Sequence, residues 1–205
     1  MTPLFLLNTD VLPDGLLPLR LFEIRYIDMV RDCLRQEQGF VVCPIQIGAE
    51  TLRAENGEPV DTVPYPAGCY VKVVDWHQDD QGLLNIICQG QYKVEVLHRQ
   101  IDDAGLHWGA IQPLPEEPQG RLPEQHTDLG ALLGRLLQRL QRTVHYPEPQ
   151  LDDAQWVCRR LIELLPLQND MRYQLWRNHD IEFRLQSLLR IIDALAQHAN
   201  DEVSG

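Results

Sequence analysis

Thirteen residues fix more of this chain than any others. From Leu84 to Val96, the side chains of Leu84, Ile86, Cys88, Gly90, Tyr92, Val94 and Val96 fall on one side of an extended backbone. Asn85, Gln89, Gln91, Lys93 and Glu95 fall on the other. Period two over that length belongs to a strand with one buried face, not to a helix. A strand so long must bend to stay on one core, and Gly90 is the expected place for the bend.

The neighbouring segments fit the same sheet. "TPLFLLN" is a short apolar run stopped by the turn residues Asn8, Thr9 and Asp10, and "VLPDG" supplies a Pro-Asp-Gly turn. "GFVVCPIQIG" reads as a buried strand, with Pro44 marking an edge or a bulge. "GCYVKVVDWH" leads through the polar loop "QDDQG" into the long strand, as in a hairpin. "DDAG" then turns into "LHWGAIQPL". Strands in succession joined by such turns predict a small barrel or sandwich over residues 1–113.

Residues 114–125 carry prolines and acidic residues and read as a linker. From 126 to 205 the period changes. Leu129, Leu132, Leu133, Leu136, Leu137, Leu140 and Val144 recur at helical spacing, with Thr127 or Asp128 available as the cap. A second helix is expected from about Asp153 to Leu165, and a short third follows Asn169. A fourth begins near Asp180 with Ile181, Leu185, Leu188, Leu189, Ile192 and Leu195 on one face. The predicted fold class is α+β, a β-rich part and then a bundle of about four helices.

Charge and composition exclude several functions. Thirty acidic residues against eighteen basic ones give a formal net charge of −12, a field that repels nucleic acid and anionic membrane surfaces. No apolar run approaches the roughly 20 residues of a membrane helix, and "MTPLFLLNTD" has no basic region or cleavage site of a signal peptide. The five cysteines, Cys33, Cys43, Cys69, Cys88 and Cys158, are odd in number and lack C-x-x-C spacing. They read as buried thiols in a reducing cytoplasm.

Catalytic patterns are missing. The two serines, Ser187 and Ser204, sit in no G-x-S-x-G elbow. The two lysines, Lys72 and Lys93, follow no glycine, so no P-loop exists. The seven histidines are scattered without ligand spacing and read as surface residues, and Asp79 and Asp80 as a solvated turn. Glu116 and Glu117 fall in the linker, where nothing would exclude water. No cofactor is expected. Of the four tryptophans, Trp76 and Trp108 lie beside hairpin or strand ends and are the ones to consider as partner contacts.

Residues Leu17–Val30, "LPLRLFEIRYIDMV", combine apolar spacing with charge. Phe22, Tyr26, Met29, Val30, Cys33 and Leu34 predict one face of a helix near 20–36 that packs on the sheet. Glu23 lies in its first turn and needs a partner, with Arg20 and Arg25 at hand. A structural ion pair is the expected role, and a partner-binding surface the alternative.

The same stretch carries a family resemblance. Leu17-Pro18-Leu19, Leu21, Phe22-Glu23, Arg25-Tyr26 and Met29 resemble the opening block of the N-terminal, substrate-recognition domain of the ATP-dependent Lon proteases. The likeness continues through "GFVVCPIQIG", "GLLNIICQGQYKVEV" and "LIELLPLQNDMRYQLWRNHDIEFRLQSLLRII". Gln91-Tyr92 departs from the family's usual Arg-Phe. The resemblance implies a PUA-like β-barrel followed by a helical subdomain, without the family's ATPase and Ser-Lys proteolytic modules. The expected function is non-catalytic capture of unfolded or exposed apolar segments of other proteins, as an adaptor, a chaperone-like holder or a regulator of a protease. The partner-contact candidates are Arg20, Glu23, Arg25, Trp76 and Trp108. The alternative is a metabolite-binding domain with a pocket between barrel and helices.

Overall fold

The computed structural model describes residues 1–51 and 61–203, with side chains through residue 197 in the last helix. Two compact units divide at Glu116/Glu117.

The first unit contains seven strands among the described residues: β1 (Thr2–Leu7), β2 (Leu16–Leu21), β3 (Phe40–Ile47), β4 (Val63–Pro64), β5 (Ala67–Gln78), β6 (Leu84–Ile101) and β7 (His107–Pro113). They pair in the order β1-β7-β6-β5-β3-β4, and a parallel pairing of β1 with β3 closes the path into a ring of five strands. β2 pairs onto β6, and β4 onto β3. Helix α1 (Ile24–Arg35) connects β2 to β3.

β1 and β3 explain why their sequences read as solid apolar runs: both faces of each are buried. Leu4, Leu6, Val41, Cys43 and Ile45 join one core, with Val94 and Val96. Phe5, Leu7, Phe40 and Val42 join the other, with Tyr26, Met29, Val30 and Cys33 of α1. After Pro44 the β3–β4 register shifts between Ile45 and Ile47.

β6 serves both cores along one alternating face. Ile86 and Cys88 belong to the helix-covered core, Val94 and Val96 to the other. The switch occurs where the β5–β6 register shifts, with Tyr70 opposite Tyr92 but Val71 opposite Gly90. Gln91 is therefore the extra residue of a bulge beside Gly90. A Cβ on residue 90 would lie 2.1 Å from the Leu12 carbonyl oxygen. The β1–β2 loop sits this close because the Gly90 amide donates to the Gly15 carbonyl and the Asp14 amide to the Gly90 carbonyl, both at 2.9 Å.

The helix starts later than its spacing suggests. Arg20 and Leu21 belong to β2, and α1 begins at Ile24. Phe22 and Leu34, expected on the packing face, are exposed. Tyr26, Met29, Val30 and Cys33 make up the buried face.

The second unit contains α2 (Thr127–Leu140), α3 (Ala154–Leu164), α4 (Asn169–Arg177) and α5 (Ile181–Val203), with one 3₁₀ turn at Glu124–His126. Asp153 caps α3 by accepting from the Trp156 amide at 2.7 Å. Neither Thr127 nor Asp128 caps α2; His126 holds that position, and the Thr127 hydroxyl donates to the Glu124 carbonyl instead.

Within residues 117–123, Pro118 to Arg121 are exposed, as a linker would be, but Glu117 and Leu122 are anchored in the interior. Leu122 is buried and its amide donates to the Asp152 carbonyl at 2.7 Å. Glu117, read from sequence as water-exposed, is 8% exposed and accepts from Arg159 at 3.0 Å, with the Arg184 guanidinium at 3.2 Å. Arg184 also donates to the Gln155 amide oxygen. On α3, Arg160 pairs with Glu163 at 2.6 Å. Arg160 and Arg184 are fully buried.

Candidate binding surface

Glu23 and Arg25 stand where β2 hands over to α1. Glu23 occupies the N-cap position with extended backbone, and its carbonyl accepts from the amides of Tyr26 and Ile27. Its side chain does not cap the helix; it accepts from Arg25 Nε at 3.0 Å. Arg25 is buried. One terminal nitrogen donates to the Gly105 carbonyl at 2.6 Å, and the other to the Glu50 carbonyl at 3.1 Å. Its guanidinium lies 4.3 Å from the centre of the Tyr26 ring, and that ring contacts Phe5. One cation thus ties together the β2–α1 junction, the β6–β7 hairpin and the chain at Glu50. The planar fork of arginine suits this task, because a lysine offers no comparable set of directed donors.

Trp108 belongs to the same hairpin. Its indole nitrogen donates to Asp102 at 2.8 Å, and Asp102 also accepts from the amides of Ala104 and Leu106. Desolvation raises the Asp102 carboxyl, but these hydrogen bonds outweigh it and hold the group below the usual carboxylate range. His107 lies below the usual histidine range, first because it is buried and then because Arg25 and Arg99 oppose its protonation. His107 and His126 are thus buried histidines, contrary to the surface reading.

Arg20 and Trp76 form a second locus, at the β5–β6 hairpin. Arg20 donates to Asp79 at 2.9 Å and to Gln81 at 2.8 Å. Asp79 organises the turn by accepting from the amides of Gln81 and Leu83. Trp76 pairs with Ile86 across the hairpin yet is 59% exposed, and Val74, at the neighbouring register shift, is exposed too. No hydrogen bond or ion pair among the described residues joins this locus to the Arg25 group. Of the other tryptophans, Trp156 and Trp176 are buried.

The sequence reading passed over Ile24, and it gave Phe22 the wrong side. Phe22 is 65% exposed and Ile24 76%, on either side of the anchored Glu23. The signal was present: in an α1 that begins at Ile24, neither residue can share the face of Met29 and Cys33.

Burial pushes the Cys43 and Cys88 thiols up to about 12, so neither supplies a thiolate nucleophile near neutral pH. Among the described residues, no three His, Cys, Asp or Glu side chains converge as metal ligands. No helix among them is long and apolar enough to cross a membrane.

The architecture is a closed strand ring with an inserted helix, followed by a helical unit. The chain belongs to the family of the ATP-dependent protease La (LON) substrate-binding domain, whose profile matches residues 1–194. Among solved structures it is similar to a Lon N-terminal domain protein from Xanthomonas campestris, at 32% identity and a TM-score of 0.70, over 92% of this chain and 96% of that one. The N-terminal domain of the Mycobacterium avium complex Lon protease shares the fold, at 18% identity, a TM-score of 0.53 and the same coverage. A search of curated proteins finds no match. The matched region corresponds to the substrate-binding domain, not to an ATPase or protease module. Gln91, where the resemblance leads one to expect arginine, is the exposed bulge residue, and among the described residues its amide nitrogen donates to the Gln89 carbonyl at 3.1 Å.

Proposed function

We propose that this chain binds exposed apolar segments of other polypeptides and holds them without chemistry of its own, as an adaptor or chaperone-like holder would. The observation that carries the reading is the pair Phe22 and Ile24. Large apolar side chains normally retreat from water, and these two project from a junction made rigid by the buried Arg25. Family membership supports the reading, since a substrate-binding domain takes protein substrates. Strand β2 adds to it. Among the described residues β2 pairs only with β6, and Pro18 suits such an edge, to which an extended segment can add. In this proposal Glu23 and Arg25 position the surface, while Trp76 and Val74 extend it. Trp108 braces the hairpin behind it, and Arg20 holds the neighbouring turn.

A small-molecule site has less support. The larger described cleft of the second unit, lined by Arg121, Leu122, Thr127 and Leu151 among others, measures about 220 Å³ and is open. That is below the roughly 300 Å³ at which ordinary ligand pockets begin.

The test is suppression of aggregation of a chemically unfolded client at stoichiometric ratios. The wild-type chain should suppress it, and a Phe22→Ala/Ile24→Ala variant should lose most of that effect while keeping its melting temperature. A wild-type chain that neither suppresses aggregation nor crosslinks to the client would sink the proposal.

A further inference from the structure

The acidic residues of this chain are spread widely, with one exception. Between Asp128 and Glu148 there is no acidic residue, and Arg135, Arg139 and Arg142 stand in that interval. Their spacing is i, i+4, i+7. The first two lie on α2, and helical winding continues past its end: Gln141 keeps right-handed backbone angles, and the Val144 amide donates to the Leu140 carbonyl at 2.9 Å. The three guanidinium groups therefore share one face over about 10 Å. All three residues are exposed, opposite the buried Leu129, Leu133 and Leu137. No ion pair or side-chain hydrogen bond engages any of them among the described residues.

Besides Arg25, six other arginines of the described residues are committed to acidic partners, and Arg99, Arg121 and Arg190, which are not, stand apart from one another in the sequence. Arg159, Arg160 and Arg184 pair in the interior, Arg31 and Arg35 with aspartates on α1, and Arg20 with Asp79. Favourable interaction with the helix C-terminus accounts for Arg139 and Arg142, but Arg135 lies too far back for that effect. In a chain with twelve excess negative charges, three adjacent unpaired cations form a local field of the opposite sign.

We propose that this face of α2 is a docking surface for an acidic polypeptide segment. Each guanidinium can take a carboxylate in a two-pronged hydrogen bond. The exposed Gln138 and Gln141 beside them can bond to the backbone of an extended segment. A nucleic acid fits less well: the face presents no aromatic side chain for base stacking, and the overall charge opposes a polyanion. The proposal does not rest on the Phe22–Ile24 surface and stands whether or not that surface binds clients.

The experiment is fluorescence anisotropy of a labelled oligoglutamate peptide titrated with the whole chain at low ionic strength. Oligothymidylate and phosphatidylserine vesicles serve as competing probes. The peptide should bind, and Arg135→Glu/Arg139→Glu/Arg142→Glu should weaken it about tenfold or more, the loss of three exposed pairs. The control Arg31→Glu/Arg35→Glu/Lys72→Glu, with the same change in net charge, should bind as the wild type does. Circular dichroism and melting temperature confirm that both variants fold. Three results overturn the proposal: no peptide binding by the wild type, an equal loss in both variants, or binding of oligonucleotide or vesicles in preference to the peptide.

Discussion

In the first unit the deepest residues are aliphatic, aromatic and sulfur side chains: Leu4, Val30, Phe40, Val41, Cys43, Val71 and Cys88. In the second, two fully buried arginines lie among the leucines, one facing Glu117 and the other Glu163. The first unit also buries charge, with Arg25 on Glu23 at its margin and Asp10 and Lys93 inside, but none of these reaches the depth of Arg160 and Arg184, and its ring of strands sets the register residue by residue. Helices packed through leucines alone can slide by a turn at small cost. The Glu117 pairs with Arg159 and Arg184 fix α3 and α5 against the incoming chain, a specifying role for buried charge. The deepest layer is apolar where strand hydrogen bonding dictates the geometry, and it includes charge where helices pack side by side.

The largest break in this comparison should come from Glu117→Ala. It leaves Arg159 and Arg184 facing a void, at a cost of about 3–5 kcal/mol. Urea unfolding should show the helical signal at 222 nm melting earlier, and an unchanged midpoint would mean that the pairs are ornamental.

Alkaline pH should strike the other unit. Burial raises Cys43 and Cys88 from 9.0 to about 12 and Tyr26 from 10.0 to about 12. Above pH 9 the unfolded chain loses protons that the folded one keeps, so stability falls as pH rises towards 12. At pH 10 each of the two thiols should have cost on the order of 1 kcal/mol, a few kcal/mol together. Unfolding free energies measured at pH 8 and pH 10 check the sign; equal values would contradict the burial. Gly90→Ala should be somewhat milder, about 2 kcal/mol, because the β1–β2 loop can retreat from the new methyl group at the expense of its hydrogen bonds. Its denaturation midpoint should drop without a change in slope. Smallest is Arg20→Ala. Its ion pair with Asp79 is solvent-screened, and its loss should lower the melting temperature by no more than about 2 °C, visible only in a careful melting comparison.

Much of the architecture was legible because its causes are local. The alternation of β6, the bend at Gly90, the hairpin turns at Asp79 and Asp102 and the starts of α3 to α5 each depend on a few adjacent residues. The β2–α1 junction was misread because two periods overlap in it. Leu17, Leu19 and Leu21 alternate as a strand, while Leu21, Phe22, Tyr26 and Met29 also satisfy helical spacing. The Glu23–Arg25 pair was visible because its members are two residues apart. The rest of the Arg25 cluster was not, since Glu50 and Gly105 reach it only through the fold. Glu117 lies in a proline-rich stretch, and nothing near it in sequence announces a partner 42 positions later.

The parallel pairing of β1 with β3 also sets a schedule. β1 pairs on its other edge with residues 107–109 of β7. During synthesis β1 can find β3 early but gains its second neighbour only once residues 107–109 have been made. Until then Leu4 and Leu6 lack the cover of Val94 and Val96. Part of the synthesis is thus spent with an apolar strand of the chain uncovered.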